Sequence, residues 1–448
     1  MRANNLTLLT DLYELTMMQG YFKNPTNQTV IFDMFYRVNP CGGSFAIAAG
    51  LEQMIEYIEN LHFSDEDIDY LRSLHIFEED FLTYLSDFHF TGDIYAIPEG
   101  TVVFPREPLV KVIAPIMEAQ LVETAILNII NHQSLIATKA ARVCYAARGD
   151  GIMEFGLRRA QGPDAGIYGA RAAVIGGCAG TSNVLTGQMF NVPVLGTHAH
   201  SWIMSFPDEY TAFKTYARMY PDSCTLLVDT YDVLKSGVPN AIRVFEEMRE
   251  EGVKLTHYGI RIDSGDLAYL SKEAYKMLAA AGFDDATISA SSDLDEYLID
   301  SLKSQDAKIT SWGVGTNLIT SKDNPAFGGV YKLAAVKDAG SNSFTPKIKL
   351  SENTEKVTNP GNKTVYRIYS KSTGKIKADM ICLTDEIFDP EETMVIFDPV
   401  DTWKKTKVLG GTYELRELLV PVIREGKRIY TSPEVMDIRE YCRKEQNT

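Results

Sequence analysis

Between residues 151 and 336 the chain repeats one alternation, a short apolar run followed by a stretch with apolar positions three and four apart. The apolar runs fall at 152–155, 192–196, 225–229, 258–263, 287–291 and 309–313. The stretches between them include 201–219, 238–251, 266–281 and 294–304, which read as amphipathic helices. Parallel strands need crossover connections, so this rhythm predicts α/β structure with a parallel sheet. Six such units, with a seventh strand expected near 331–336, favour an irregular or incomplete α/β barrel over an open sheet. The flanks are patterned differently. Residues 11–21 and 47–59 have helical spacing, 29–37 reads as a strand, and 90–115 holds short β-rich pieces separated by Pro98, Pro105 and Pro108. Beyond residue 338 come loop formers (340–343, 351–363), short β-like runs (365–369, 394–397, 418–422) and a helical tail at 433–444. The expected organisation is an N-terminal α+β domain over 1–135, a barrel domain over 136–340 and a C-terminal segment over 341–448.

Charge and cysteine content narrow the function. The chain has 448 residues, with 44 Lys plus Arg against 60 Asp plus Glu, a net charge of −16. So acidic a chain lacks the footprint of a general nucleic-acid or anionic-membrane binder, though local basic pockets for small anions remain open to it. The six cysteines are scattered and form no CxxC pair, which favours free thiols over a disulfide framework or zinc knuckle. With no run of 18 apolar residues and no apolar signal core at the N-terminus, the expected location is the cytoplasm.

In parallel α/β folds functional groups collect just after the C-terminal ends of the strands. Here those positions read EFGLRR (154–159), GTHAHS (196–201), DTYD (229–232), RIDSGD (261–266), SSD (291–293) and GVGTN (313–317). Any one of these could be a helix cap or a turn. Six in one ring are harder to attribute to capping alone. Ser264-Gly265-Asp266 and Gly313-Val314-Gly315-Thr316 put small residues where backbone N–H groups can face a phosphate, and Arg158, Arg159 and Arg261 add positive charge on the same rim. His200 lies beyond a strand end among carboxylates that could orient its ring, which suits general base work or capture of a phosphoryl group. His198 is its rival, because a spacing of two does not separate them. A metal site built from His198, His200 and Asp229 lacks the third nitrogen or sulfur that zinc usually takes.

The motifs TDLYELTM (10–17), EFGLRRAQGPD (154–164), GTHAHSW (196–202), VDTYD (228–232), IRIDSGDL (260–267), WGVGTNL (312–318), GGVYKL (328–333) and KLSENTEKVTNPGNKTVYR (349–367) occur in one order along the chain. Together they resemble the nicotinate phosphoribosyltransferase family. That resemblance implies a type II phosphoribosyltransferase fold, an irregular α/β barrel with a second α+β domain formed by the N- and C-terminal segments. The implied reaction joins nicotinate to phosphoribosyl pyrophosphate in NAD salvage, releasing pyrophosphate and forming nicotinate mononucleotide. ATP is an implied co-substrate, coupled through a phosphohistidine at His200, and Mg2+ is expected with the pyrophosphate rather than on protein ligands alone. A homodimer with shared sites is implied as well, Tyr13 reaching into the neighbour's pocket.

On this reading Asp229 and Asp263 serve the ribose and its developing charge. Phe155 and Tyr13 cover the pyridine ring, and Arg158 and Arg261 hold carboxylate and phosphates. Ser264, Gly265, Ser292, Gly313, Gly315 and Thr316 make up the phosphate-binding positions. Lys332, Lys349 and Lys356 are candidate cations of a closing loop. Ser182, after Gly180-Thr181, adds no negative charge where amide-using relatives carry an acid, which tips the expectation toward nicotinate over nicotinamide. A Schiff-base aldolase would need a lysine at a strand end, and none of the six segments holds one. A silent nucleotide sensor could dispense with a phosphorylatable His200.

Overall fold

The computed structural model describes residues 5–25, 27–350, 358–399 and 401–448. Lys356 lies outside the described residues. The chain divides into two compact units: Met1–Leu135, Ala326–Pro433 and Tyr441–Thr448 form the first, Ile136–Pro325 and Glu434–Glu440 the second.

The second unit is built on six parallel strands: β1 (Gly151–Glu154), β2 (Gly180–Thr181), β3 (Cys224–Leu227), β4 (Tyr258–Ile262), β5 (Thr287–Ala290) and β6 (Ser311–Val314). Their order in the sheet is β2-β1-β6-β5-β4-β3. Among the described residues the edge strands β2 and β3 do not pair, so the parallel sheet forms an incomplete barrel, as the alternation of apolar runs and helices predicted. Its strands bury apolar side chains such as Ile152, Leu226, Ile260, Ile262, Ile288 and Trp312. Burial of such side chains is what a parallel strand covered by helices requires, though Thr225, Arg261 and Ser289 interrupt the apolar runs. Helices Val238–Glu250, Leu267–Ala280 and Glu296–Ser304 connect successive strands. Asp266 and Asp295 cap two of them, accepting from the N–H of Tyr269 at 3.0 Å and of Leu298 at 2.7 Å.

Three details depart from the sequence pattern. Residues 192–196 form no strand but a single bridge, Thr181 to Val194, while the two-residue strand beside β1 is Gly180–Thr181. The stretch 201–219 breaks into His200–Met204 and Glu209–Met219, the second capped by Asp208. The run near 331–336 is not a seventh barrel strand. It belongs to Gly329–Lys337, which pairs antiparallel with Thr29–Tyr36 in the first unit.

In that first unit the main sheet has seven strands, ordered Thr345–Pro346, Gly329–Lys337, Thr29–Tyr36, Val110–Pro115, Asp93–Ala96, Val420–Arg424 and Lys427–Arg428. Asp33 and Lys111 face each other across two of its strands. Lys363 lies 2.7 Å from Asp33, and Lys111 donates to the Lys363 carbonyl at 2.8 Å. A second sheet holds Ile376–Leu383, Lys363–Ser370 and Tyr413–Glu417. Arg367, fully buried in it, donates to both carboxylate oxygens of Asp379 (2.8 and 2.6 Å), to Glu445 at 2.5 Å and to the Val102 carbonyl at 2.5 Å. Among the described residues no helix is long and apolar enough to cross a membrane.

Candidate active site

A cavity of about 530 Å³ opens at the C-terminal ends of the parallel strands. Phe155, Arg158 and Arg159 reach it from the loop after β1, Ser182 from the end of β2, and Thr197 to His200 from the segment after the 194 bridge. Arg261 and Asp263 come from β4, Ser291 and Ser292 from β5, and Gly313, Gly315 and Thr316 from β6. Ten of the residues singled out in the sequence therefore converge on one hollow: Phe155, Arg158, Ser182, His200, Arg261, Asp263, Ser292, Gly313, Gly315 and Thr316.

Asp229 stands behind that wall and organises it. Its side chain is 2 % exposed, and Oδ1 lies 3.1 Å from His200 Nε2. Its Oδ2 accepts from the Asp263 N–H at 3.1 Å and from Ser264 Oγ at 2.6 Å. With Nε2 directed at a carboxylate, the His200 tautomer carries its proton there and leaves Nδ1 with a lone pair. His200 is 40 % exposed at its side chain. His198 differs sharply: it is 8 % exposed, its Nε2 accepts the Leu227 N–H at 3.2 Å, and its ring packs against Tyr216 and Phe213. Burial pushes its pKa down to about 4, so it stays a neutral packing histidine. Spacing alone could not separate the two histidines, and burial does.

Arg261 donates to Thr197 Oγ1 at 2.5 Å and to the His198 carbonyl at 3.2 Å, while its buried Nε has no acceptor among the described residues. Burial lowers its pKa, and Arg158 pushes in the same direction. Two guanidinium groups close enough to repel make this corner of an acidic chain receptive to an anion. Asp263 accepts from Ser291 Oγ through Oδ1, and Oδ2 takes no donor among the described residues. Among the described residues no three His, Cys, Asp or Glu side chains converge on a metal position. The donor set is the carboxylates that line the cavity, Asp263 and Asp293, since both oxygens of Asp229 are engaged. It suits Mg2+ only when substrate phosphate oxygens complete the shell, which is the usual way Mg2+ is held at such sites.

The glycines at the end of β6 serve shape. A Cβ at Gly313 would lie 2.6 Å from the Phe155 ring, so this position has to be glycine for the ring to lie over the strand. Ser264 and Gly265 are exposed beside the cavity without lining it. Asp232 and Asp266, the acids that follow Asp229 and Asp263 by three, turn out to be caps, accepting backbone N–H groups of the next turn. Ser292 has φ of +111°, a region that belongs to glycine, and faces the cavity. Strain held at a binding surface commonly positions a group there. Ser292→Gly should therefore raise the free energy of unfolding by about 1 kcal/mol while weakening affinity for the phosphorylated substrate; chemical or thermal unfolding and KM on one preparation would test it, and unchanged stability would count against strain.

Sequence reasoning gave Thr197, Ser291 and Glu154 no role, although each stands in a strand-end segment. Glu154 is fully buried: its Oε1 accepts the Gly156 N–H and its Oε2 accepts Thr181 Oγ1 at 2.6 Å. Tyr13, in the first unit, is 48 % exposed on helix Leu12–Lys23, and its pKa is pushed up to about 12 by partial burial and by Glu123, Glu14 and Asp11. Lys332 and Lys349 belong to the same unit, and Lys332 feels the charges of both Arg37 and Lys349.

Family models match the chain in succession. The nicotinate phosphoribosyltransferase N-terminal domain covers residues 8–131, the nicotinate phosphoribosyltransferase family 151–372, and the corresponding C-terminal domain 362–448. A nicotinate phosphoribosyltransferase of Bacillus subtilis is 48% identical over 443 residues, 98% of this chain and 88% of that protein. The human nicotinate phosphoribosyltransferase is 33% identical, covering 86% of this chain and 81% of its own. Among solved structures, human nicotinic acid phosphoribosyltransferase superposes with a TM-score of 0.84 at 29% identity, covering 98% of this chain and 93% of that one. A nicotinate-nucleotide pyrophosphorylase from Pyrococcus furiosus, 22% identical with a TM-score of 0.74 over 100% of this chain and 98% of its own, shares the fold. Motifs, domain order and full-length similarity agree, and the chain belongs to the nicotinate phosphoribosyltransferase family.

Proposed function

We propose that this protein forms nicotinate mononucleotide and pyrophosphate from nicotinate and phosphoribosyl pyrophosphate, in NAD salvage, with ATP hydrolysis coupled through a phosphohistidine at His200. The observation that carries the reading is the half-exposed His200 held by buried Asp229 at the edge of an arginine-lined cavity. Nδ1 of His200 attacks the γ-phosphorus of ATP; the N–P bond forms, the bond to the β-phosphate oxygen breaks, and ADP leaves. The Nε2 proton stays between ring and Asp229, whose charge stabilises the cationic ring. Water later cleaves the N–P bond and releases phosphate.

In the glycosyl step the bond from the anomeric carbon to pyrophosphate breaks as the pyridine nitrogen bonds to that carbon. Asp263 faces the oxocarbenium-like charge and the ribose hydroxyls, and Asp229 adds its negative charge from behind the wall. Phe155 supplies an apolar face for the ring, and the guanidinium of Arg261, with Arg158 nearby, suits the nicotinate carboxylate. Gly313, Gly315, Thr316 and Ser292 surround the 5′-phosphate, with Ser264 and Gly265 at the rim. Uncharged Ser182 favours nicotinate over its amide. Mg2+, held by Asp263 together with the diphosphate, would neutralise the leaving pyrophosphate. A cytoplasmic homodimer in which Tyr13, Lys332 and Lys349 complete a neighbour's site accords with Tyr13's exposure.

The test is product formation from phosphoribosyl pyrophosphate with nicotinate, nicotinamide or quinolinate, each with and without ATP, following ADP. Nicotinate mononucleotide formed with nicotinate-stimulated ADP release supports the reading. Turnover of nicotinamide instead overturns the choice of base, and absence of product with every base overturns the activity. Arg261→Ala should raise the KM for nicotinate about 10- to 100-fold, as loss of a charge-assisted contact of about 1.5–3 kcal/mol implies, with a smaller change for ATP. Equal effects on both Michaelis constants would remove Arg261 from the carboxylate.

A further inference from the structure

We propose that Glu154 is a positioning residue for base recognition, the tie that fixes the loop carrying Phe155 and Arg158 against the loop carrying Ser182. The inference deepens the phosphoribosyltransferase reading and rests on it. Glu154 ends β1 and shows no surface to solvent. Its two carboxylate oxygens are divided between two segments. Oε1 accepts from the N–H of Gly156, the residue that opens the turn Leu157–Arg159. Oε2 accepts from Thr181 Oγ1 at 2.6 Å, and that hydroxyl in turn accepts the Asn183 N–H at 3.0 Å. The Glu154 carbonyl takes the Ser182 N–H at 3.0 Å. One residue thus holds the backbone on both sides of Ser182 and the start of the arginine turn.

The chemistry of the tie requires an acid. Both partners donate, and only an ionised carboxylate accepts at both ends without offering a proton of its own. Among the described residues no Lys, Arg or His forms an ion pair with it, and burial raises its pKa. A buried acid without a cation is costly, and packing alone would be served by an apolar side chain. Glutamine would satisfy Gly156 but turn an NH2 group toward the Thr181 hydroxyl, which would lose its acceptor. A Cβ at Gly156 would lie 2.4 Å from Ile319 and 2.7 Å from Glu154 Oε1, so the loop has no slack with which to re-form the bond elsewhere.

The experiment compares Glu154→Gln, Thr181→Val and the double variant, measuring KM for nicotinate, KM for phosphoribosyl pyrophosphate, kcat and melting temperature. Each single variant should raise the nicotinate KM about tenfold and leave the phosphoribosyl pyrophosphate KM within about twofold. The double variant should be no worse than the poorer single, since both break one tie. An unchanged nicotinate KM in a wild-type background that turns over nicotinate overturns the proposal alone. Parallel increases in both KM values with a lowered melting temperature also overturn it, assigning Glu154 to stability. If Glu154→Gln fails to fold, Thr181→Val carries the same comparison. A wild type that makes no nicotinate mononucleotide overturns the parent reading, and this one with it.

Discussion

Asp229→Asn is expected to lower ATP-stimulated turnover by about 10²- to 10⁴-fold, the range that a positioned proton-handling group supplies. The asparagine would preserve size and burial, yet it could present an NH2 group to His200 Nε2. The ring would then favour the opposite tautomer, with its proton on Nδ1 and no lone pair where the phosphoryl group must bond. With the NH2 group toward His200, the amide oxygen would still accept the Asp263 N–H and the Ser264 hydroxyl, so the loop after β4 keeps its ties and the loss reports on the ring. His200→Ala should abolish the ATP-stimulated component completely and leave a slow ATP-independent synthesis. Steady-state rates with and without ATP, together with acid-labile ³²P incorporation, distinguish the two. Retained ATP coupling in His200→Ala would exclude that residue as the phosphoryl acceptor, and retained ³²P labelling in Asp229→Asn at wild-type rate would remove Asp229 from activation.

Arg367→Met should destabilise the protein by about 3–5 kcal/mol, the usual cost of removing one partner from a buried ionic cluster. Asp379 and Glu445 would be left together, beside Glu107, whose buried carboxyl is already pushed well up by desolvation and by Asp379. Two carboxylates would lose a cation that is itself fully buried. Chemical denaturation at pH 7 measures the loss, and a change below about 1 kcal/mol would mean that the cluster relaxes into water. Glu107 adds a pH dependence of known sign. An acid whose pKa is higher folded than unfolded binds extra protons in the folded state, so its contribution is present near pH 4–5 and fades as pH rises toward the folded pKa. Glu107→Gln should flatten that slope, and an unchanged slope would assign it to other groups.

What could be read from the chain beforehand follows from the range of the interactions involved. The parallel strands were legible because alternation of apolar run and helix is local, and their ends carried Arg261, Asp263 and the 313–316 glycines in plain view. The strand Gly329–Lys337 was not, because its partner Thr29–Tyr36 lies about 300 positions away and nothing in its own pattern distinguishes a parallel neighbour from an antiparallel one. Gly180–Thr181 is too short to leave a pattern. Asp229 and Asp232 look alike in sequence, yet one anchors His200 and the other caps the next turn. Glu154 was hidden for a similar reason: its partner Thr181 stands 27 residues on, and only the adjacency of β1 and β2 joins them.

The pairing of Thr29–Tyr36 with Gly329–Lys337 also sets an order of events on the ribosome. Until residue 337 has emerged, the strand at 29–36 has Val110–Pro115 on one side and an open hydrogen-bonding edge on the other. At a synthesis rate of about 5–20 residues per second, that edge waits for roughly 11–44 s while the second unit is made. The second unit's main segment, Ile136–Pro325, is continuous and can fold during this interval. The nascent first unit meanwhile exposes the apolar row Val30, Ile31, Phe32 and Met34 beside unpaired backbone, the kind of surface on which chaperones and aggregates compete.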